Sequence, residues 1–142
     1  MSSQAHATRV DVLLILLLAY GGATLFHHVH NAQFLNDYPN MPGWLSPVKV
    51  YAAWVGITVV GLFGYLLVRR GYQLVGLVVL AGYGAFGFDG LGHYKLAPLS
   101  AHTLTMNLSI WLEVGTAALL LVAVAALLLR RLRVSMGTGW RK

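Results

Sequence analysis

The sequence predicts an all-α membrane protein, a four-transmembrane-helix antiparallel bundle with both termini on the cytoplasmic side. Three observations lead there. Hydrophobic residues make up 58% of the 142-residue chain and charged residues 10%, against about a quarter charged in soluble domains. The apolar residues fall into four stretches, each near the ~20 residues that cross a bilayer. The basic residues stand at the ends of those stretches, nearly all on one side. That placement makes the net charge of +6 a topology signal and a contact for anionic headgroups, and argues against nucleic acid as a partner. The chain has no cysteine, which excludes thiol–disulfide chemistry, cysteine zinc sites and iron–sulfur clusters. The length suits one domain, residues 1–142. The N-terminus is too polar, and the first apolar run too long, for a cleavable signal peptide.

The first span covers about 12–30, following Arg9 and Asp11. A loop containing Pro39, Pro42, Gly43 and Pro47 breaks the helix. The second span, about 47–68, stops at Arg69 and Arg70, and a turn at Gly71 leads directly into the third, about 72–90. Pro98 and Ser100 supply a stop and an N-cap before the fourth span, about 101–129, which ends at Arg130 and Arg131. Arg9, Arg69, Arg70, Arg130, Arg131, Arg133, Arg141 and Lys142 share one end of this arrangement, and only Lys49 and Lys95 lie at the other. Eight against two puts the arginine end in the cytoplasm. Glycines in spans two and three let helix backbones approach closely. There is no internal repeat, which argues against an inverted-repeat transporter.

The polar residues share one layer. Five of the six histidines, His27, His28, His30, His93 and His102, fall at the end opposite the arginines, with Asp89, Asn31 and Asn107. His27 is 16 residues from Asp11, Asp89 is 17 from Tyr72, and Glu113 is 17 from Arg130. At ~1.5 Å per residue all three lie roughly 25 Å above the arginine boundary. Helical spacing gives each stripe a single face: Tyr20, Thr24, His27 and Asn31 in span one; Phe86, Asp89 and His93 in span three; His102, Met106, Ser109 and Glu113 in span four. Lipid cannot satisfy such stripes, so they turn inward. Span two has none and reads as scaffold.

Two carboxylates in one apolar layer repel each other unless one is protonated or a cation lies between them. Imidazoles beside them offer metal co-ligation. His27, His30, Asp89, His93, His102 and Glu113 are therefore the candidate metal ligands. Carboxylate and imidazole without sulfur suit Zn, Fe, Mn or Cu(II). Ferritin-like bundles build comparable sites, although their Glu-x-x-His motif is absent here. Blander readings stand beside this one. His28 serves a headgroup or a backbone carbonyl, His6 lies in a tail, Asp37 makes a turn, and Asn107 bonds across helices. Trp44, Tyr51, Trp54, Tyr94 and Tyr38 form an interfacial aromatic belt.

The stretches His27-His28-Val29-His30-Asn31-Ala32 with Tyr38-Pro39-Asn40-Met41-Pro42, and Asp89-Gly90-Leu91-Gly92-His93-Tyr94 with His102, Asn107 and Glu113, resemble a family of small bacterial four-span membrane proteins of unassigned function. The resemblance covers most of the chain and implies a multi-pass protein of the bacterial cytoplasmic (inner) membrane. It carries no activity.

The leading expectation is a metal-binding membrane protein, a candidate enzyme for a lipid-soluble substrate. The alternatives are a b-type haem or quinone protein with axial histidines, a small proton-coupled transporter working as a homo-oligomer, and an accessory subunit of a membrane complex. The topology is directly testable. A cysteine introduced at Asn40 should react with an impermeant thiol reagent from outside the cell, and one at Ser135 should not; the reverse pattern would sink the orientation.

Overall fold

The computed structural model describes the backbone of residues 2–139 and the side chains of residues 12–133. Helix α1 runs Ser2–Gln33, α2 Pro47–Arg69, α3 Gln73–Phe86, the short α4 His93–Leu96, and α5 Leu104–Gly139. Single 3-10 turns, Asp89–Gly92 and Leu99–Ala101, flank α4. Among the described residues four segments are long and apolar enough to cross a membrane: Val12–Gln33, Pro47–Arg69, Gln73–Leu96 and Leu104–Arg133. They pack as a ring in which α1 touches α2 and α5, and α3 touches α2 and α5. Outward faces are apolar throughout, as at Leu18, Val59, Val78 and Val122, which is the surface that lipid requires.

Local chemistry explains most boundaries. Ser46 caps α2, its hydroxyl accepting from the Lys49 N–H, and Pro47 occupies the first turn, where no N–H is needed. Gly71 takes φ +92° in the α2–α3 turn, a conformation that costs glycine nothing. The cap of α5 differs from the expected Ser100. That residue lies in a 3-10 turn, and Thr103 caps the helix, its hydroxyl accepting from the Met106 N–H.

The third span departs furthest from a single helix over 72–90. Its α-helix stops at Phe86, and the chain crosses Gly87 and Phe88 into the 3-10 turn before α4. A 3-10 turn advances about 120° per residue instead of 100°. Phe86, Asp89 and His93 therefore do not share a face: Phe86 and Asp89 are exposed and His93 is buried. Of the basic residues, Arg69, Arg70, Arg130, Arg131 and Arg133 are exposed together at one end. Arg141 and Lys142 lie outside the described residues, as do the side chains of Arg9 and of His6, whose backbone continues α1.

The core nearer the arginine end joins Leu13 and Tyr20 of α1, Leu77, Leu80 and Tyr83 of α3, and Ala117, Leu120 and Val124 of α5. Helix α2 adds glycine instead of bulk. The Tyr83 ring lies across Gly61, where a Cβ would stand 2.8 Å from the ring, and Leu80 lies across Gly64. Tyr20 packs on Tyr83, with ring centroids 4.7 Å apart, and its hydroxyl donates to the Tyr83 carbonyl. Gly87 admits Tyr20, because a Cβ there would stand 2.8 Å from the Tyr20 ring and 2.4 Å from the Ala117 Cβ. Gly87→Ala should therefore lower the detergent melting temperature, with an overpacking cost of about 1–3 kcal/mol. Gly56→Ala, whose Cβ would meet nothing within 4 Å, should not lower it; thermal melts of the two variants decide.

Candidate functional site

The inward stripes of α1 and of the fourth span meet at the end of the bundle opposite the arginines. Tyr20, Thr24, His27 and Asn31 are all buried, as are His102, Met106, Ser109 and Glu113. Glu113 lies at the centre, 2% exposed. Its Oε1 accepts a 2.5 Å hydrogen bond from the Thr24 hydroxyl. Its Oε2 faces His27 Nε2 at 3.6 Å. His28 Nδ1 approaches Oε1 at 3.8 Å from the other side. Gly90 makes room, since a Cβ there would stand 3.0 Å from Glu113 Oε2.

The hydrogen-bond partners fix the proton positions on several rings. The Ser109 hydroxyl donates to the Met106 carbonyl at 2.8 Å. It therefore accepts from His27 Nδ1–H at 3.1 Å. Carbonyls only accept, so His28 Nδ1 donates to the Thr24 carbonyl at 2.8 Å and His102 Nδ1 donates to the Pro98 carbonyl at 3.0 Å. When these three rings are neutral, each carries its lone pair on Nε2. The Nε2 of His102 is enclosed without a partner. The Nε2 of His27 presents its lone pair to a carboxylate oxygen. Only a cation between them, a proton or a metal ion, makes that approach favourable.

A second tier of rings lies beyond His27. His93 is 5.3 Å from His27 and 6.1 Å from His102, centroid to centroid. The Asn31 amide nitrogen stands 3.3 Å from His93 Nε2. Tyr38 descends from the loop after α1, is 3% exposed, and stacks on His93 at 4.8 Å. Its hydroxyl lies 3.0 Å from His30 Nδ1. Burial, opposed by the neighbouring Ser109 hydroxyl and helped by the nearby Glu113 charge, raises the Tyr38 phenol above its usual range, so it remains a donor at neutral pH. The loop is pinned by Asn40, at φ 58°, whose amide donates to the Leu96 carbonyl at 2.8 Å.

Of the six ligand candidates, the structure gathers His27, Glu113 and His93. His30 joins only through Tyr38, and His102 sits behind His93. Asp89 is exposed and forms no hydrogen bond or ion pair among the described residues. Among the described residues no group of three or more His, Asp or Glu side chains is placed so that it could hold a metal ion. Sequence reasoning placed Tyr38 in an interfacial belt, whereas it is the roof of the cluster. Its one sequence signal was position, eight residues after His30 in a loop rich in helix breakers. Thr24, Asn31 and Ser109 were legible on the stripes. His28 does reach a backbone carbonyl, and Asn107 does bond across elements, accepting from the Tyr94 hydroxyl at 2.8 Å.

These contacts rank the polar residues. Thr24→Val leaves Glu113 Oε1 without its donor and should destabilise the protein by about 1–3 kcal/mol. Asp89→Asn should change the detergent melting temperature little, because that exposed carboxylate makes no hydrogen bond or ion pair among the described residues and meets Glu113, His28 and His93 only through longer-range charge. Comparison of the chain with protein-family models, with curated proteins and with solved structures finds no match; the side chains themselves are what bears on function.

Proposed function

We propose that this integral membrane protein binds a divalent transition metal ion at the histidine-rich end of its bundle, which faces outward from the cytoplasm. The observation that carries the proposal is the His27 Nε2–Glu113 Oε2 gap of 3.6 Å. It is too long for an N–H···O hydrogen bond. Two metal–ligand bonds of ~2.0–2.1 Å at a tetrahedral angle would separate their donor atoms by roughly 3.4 Å. Ser109 holds the far nitrogen of His27 and Thr24 holds the far oxygen of Glu113, the outer support that orients metal ligands. The third ligand is His93 or His28, whose rings lie 5.3 and 5.7 Å from His27. Imidazole with carboxylate favours Zn, Fe, Mn or Cu(II). The apolar surroundings suit an enzyme acting on a lipid-soluble substrate, with the metal polarising an oxygen or activating water.

The haem alternative has less support. His27 and His93 are in edge-to-face contact, which leaves no slot for a macrocycle between them.

Metal analysis by mass spectrometry, on protein purified without chelator or His-tag, is the test. The wild type should carry about one ion per chain, His27→Ala and Glu113→Ala should lose it, and Asp89→Ala should keep it. A metal-free wild type would overturn the proposal. The pH dependence has a definite sign. The ligands must be deprotonated to bind, so stabilisation by metal is full at pH 8 and is lost as pH falls below about 6. Melting curves from pH 8 to pH 5, with and without chelator, should therefore differ at pH 8 and converge at pH 5.

A further inference from the structure

A cavity of about 280 Å³ lies between α1 and α2, close to the lower size of ligand pockets, roughly 300 Å³. It shares no side chain with the His27–Glu113 pair. Its walls are apolar, and glycines open it. Gly61 is needed for packing, since the Tyr83 ring fills the space of its side chain. Gly21 and Gly22 are not. A Cβ at Gly22 would meet nothing within 4 Å, and one at Gly21 would meet only the Tyr83 hydroxyl, at 3.8 Å. These two glycines leave space that helix packing does not use.

The second observation is polar. Tyr83 is 3% exposed. Its ring crosses from α3 over Gly61, and its hydroxyl reaches the cavity beside Gly21. That hydroxyl forms no hydrogen bond among the described residues. Phenylalanine would pack as well there, and an unpaired hydroxyl in hydrocarbon is costly. Two further lining residues carry polar atoms without a partner, the Trp54 indole nitrogen and the Thr58 hydroxyl. Those two atoms are enclosed and not open to the groove; the Tyr83 hydroxyl is the polar group that reaches it, and it can donate. The missing group is therefore an acceptor. Tyr83 is ten residues from Gln73, about 15 Å from the arginine end of its span and near the bilayer midplane. A ligand that arrives there is already dissolved in lipid.

We propose that the groove between α1 and α2 binds one bilayer-dissolved molecule that carries a carbonyl oxygen on a hydrocarbon body, with the Tyr83 hydroxyl as its hydrogen-bond donor. A quinone and an acyl ester both present that chemistry.

Native mass spectrometry of the full chain released from detergent micelles tests this independently of any metal. The probes are 2-decyl-1,4-benzoquinone, methyl palmitate, and dodecylbenzene as the oxygen-free control. The wild type should bind one carbonyl probe per chain, at least tenfold more tightly than dodecylbenzene. Tyr83→Phe keeps the ring over Gly61 and should weaken both carbonyl probes about tenfold without changing dodecylbenzene. Gly22→Leu fills the groove and should abolish binding of all three. A tenfold preference between quinone and ester identifies the source of the ligand. Dodecylbenzene binding as tightly as the carbonyl probes, or unchanged affinities in Tyr83→Phe, would show an unselective lipid slot and overturn the proposal. So would full binding by a Gly22→Leu protein that melts like the wild type; should that variant not fold, the Tyr83→Phe comparison decides alone.

Discussion

A carboxyl group inside a lipid-embedded bundle must be neutralised or supplied with donors, and Glu113 imposes that demand on everything around it. The surrounding elements each answer it. Helix α1 contributes the Thr24 hydroxyl and two imidazoles. The 3-10 turn contributes Gly90, whose missing side chain is the space that the carboxylate fills. The fourth span contributes Ser109, one helical turn from Glu113, which settles the proton on His27. The short contacts between α1 and α5 at this level follow from one buried acid, because an unsatisfied oxygen there would cost more than any single apolar contact could return.

The bundle consequently has two halves with different rules. Towards the arginines, tyrosine rings and leucines pack against glycines, and helix backbones close on one another. At the other end, histidines, tyrosines and an asparagine take the place of leucines, and polar pairing replaces close packing. The change occurs where α3 ends. Beyond Phe86 the third span is no longer an α-helix, and its glycines and 3-10 turn bring His93 in and turn Asp89 out. The break thereby decides which third-span group serves the site.

Tyr20 and Tyr83 link the halves. Tyr20 stands one turn below Thr24 on the same stripe and donates to the Tyr83 backbone. Tyr83 extends the opposite way, over Gly61 to the α1–α2 groove. The polar layer and the groove are thus neighbours through two aromatic side chains, though they share no lining residue. An ion at one and a lipid-soluble molecule at the other would meet the same framework from its two sides.

Four spans, their approximate limits and the inward stripes of the first and fourth spans were legible in the sequence. Lipid as solvent acts on composition, and the α-helical period is local, so neither needs a partner to be read. Tyr20, Thr24, His27 and Asn31, and likewise Met106, Ser109 and Glu113, lie where a 3.6-residue period puts them. The remainder required tertiary structure. The same period, extended past Phe86, misplaced Asp89, because a glycine-rich segment takes its path from its neighbours and not from propensity. Tyr38 could not be placed, since a loop residue carries no periodicity and only the return of the chain over His93 buries it. The proton positions on His27, His28 and His102 depend on which carbonyl or hydroxyl each ring meets. Helical spacing can bring histidines into one layer, but only the packed structure decides which of their nitrogens stay free to bind.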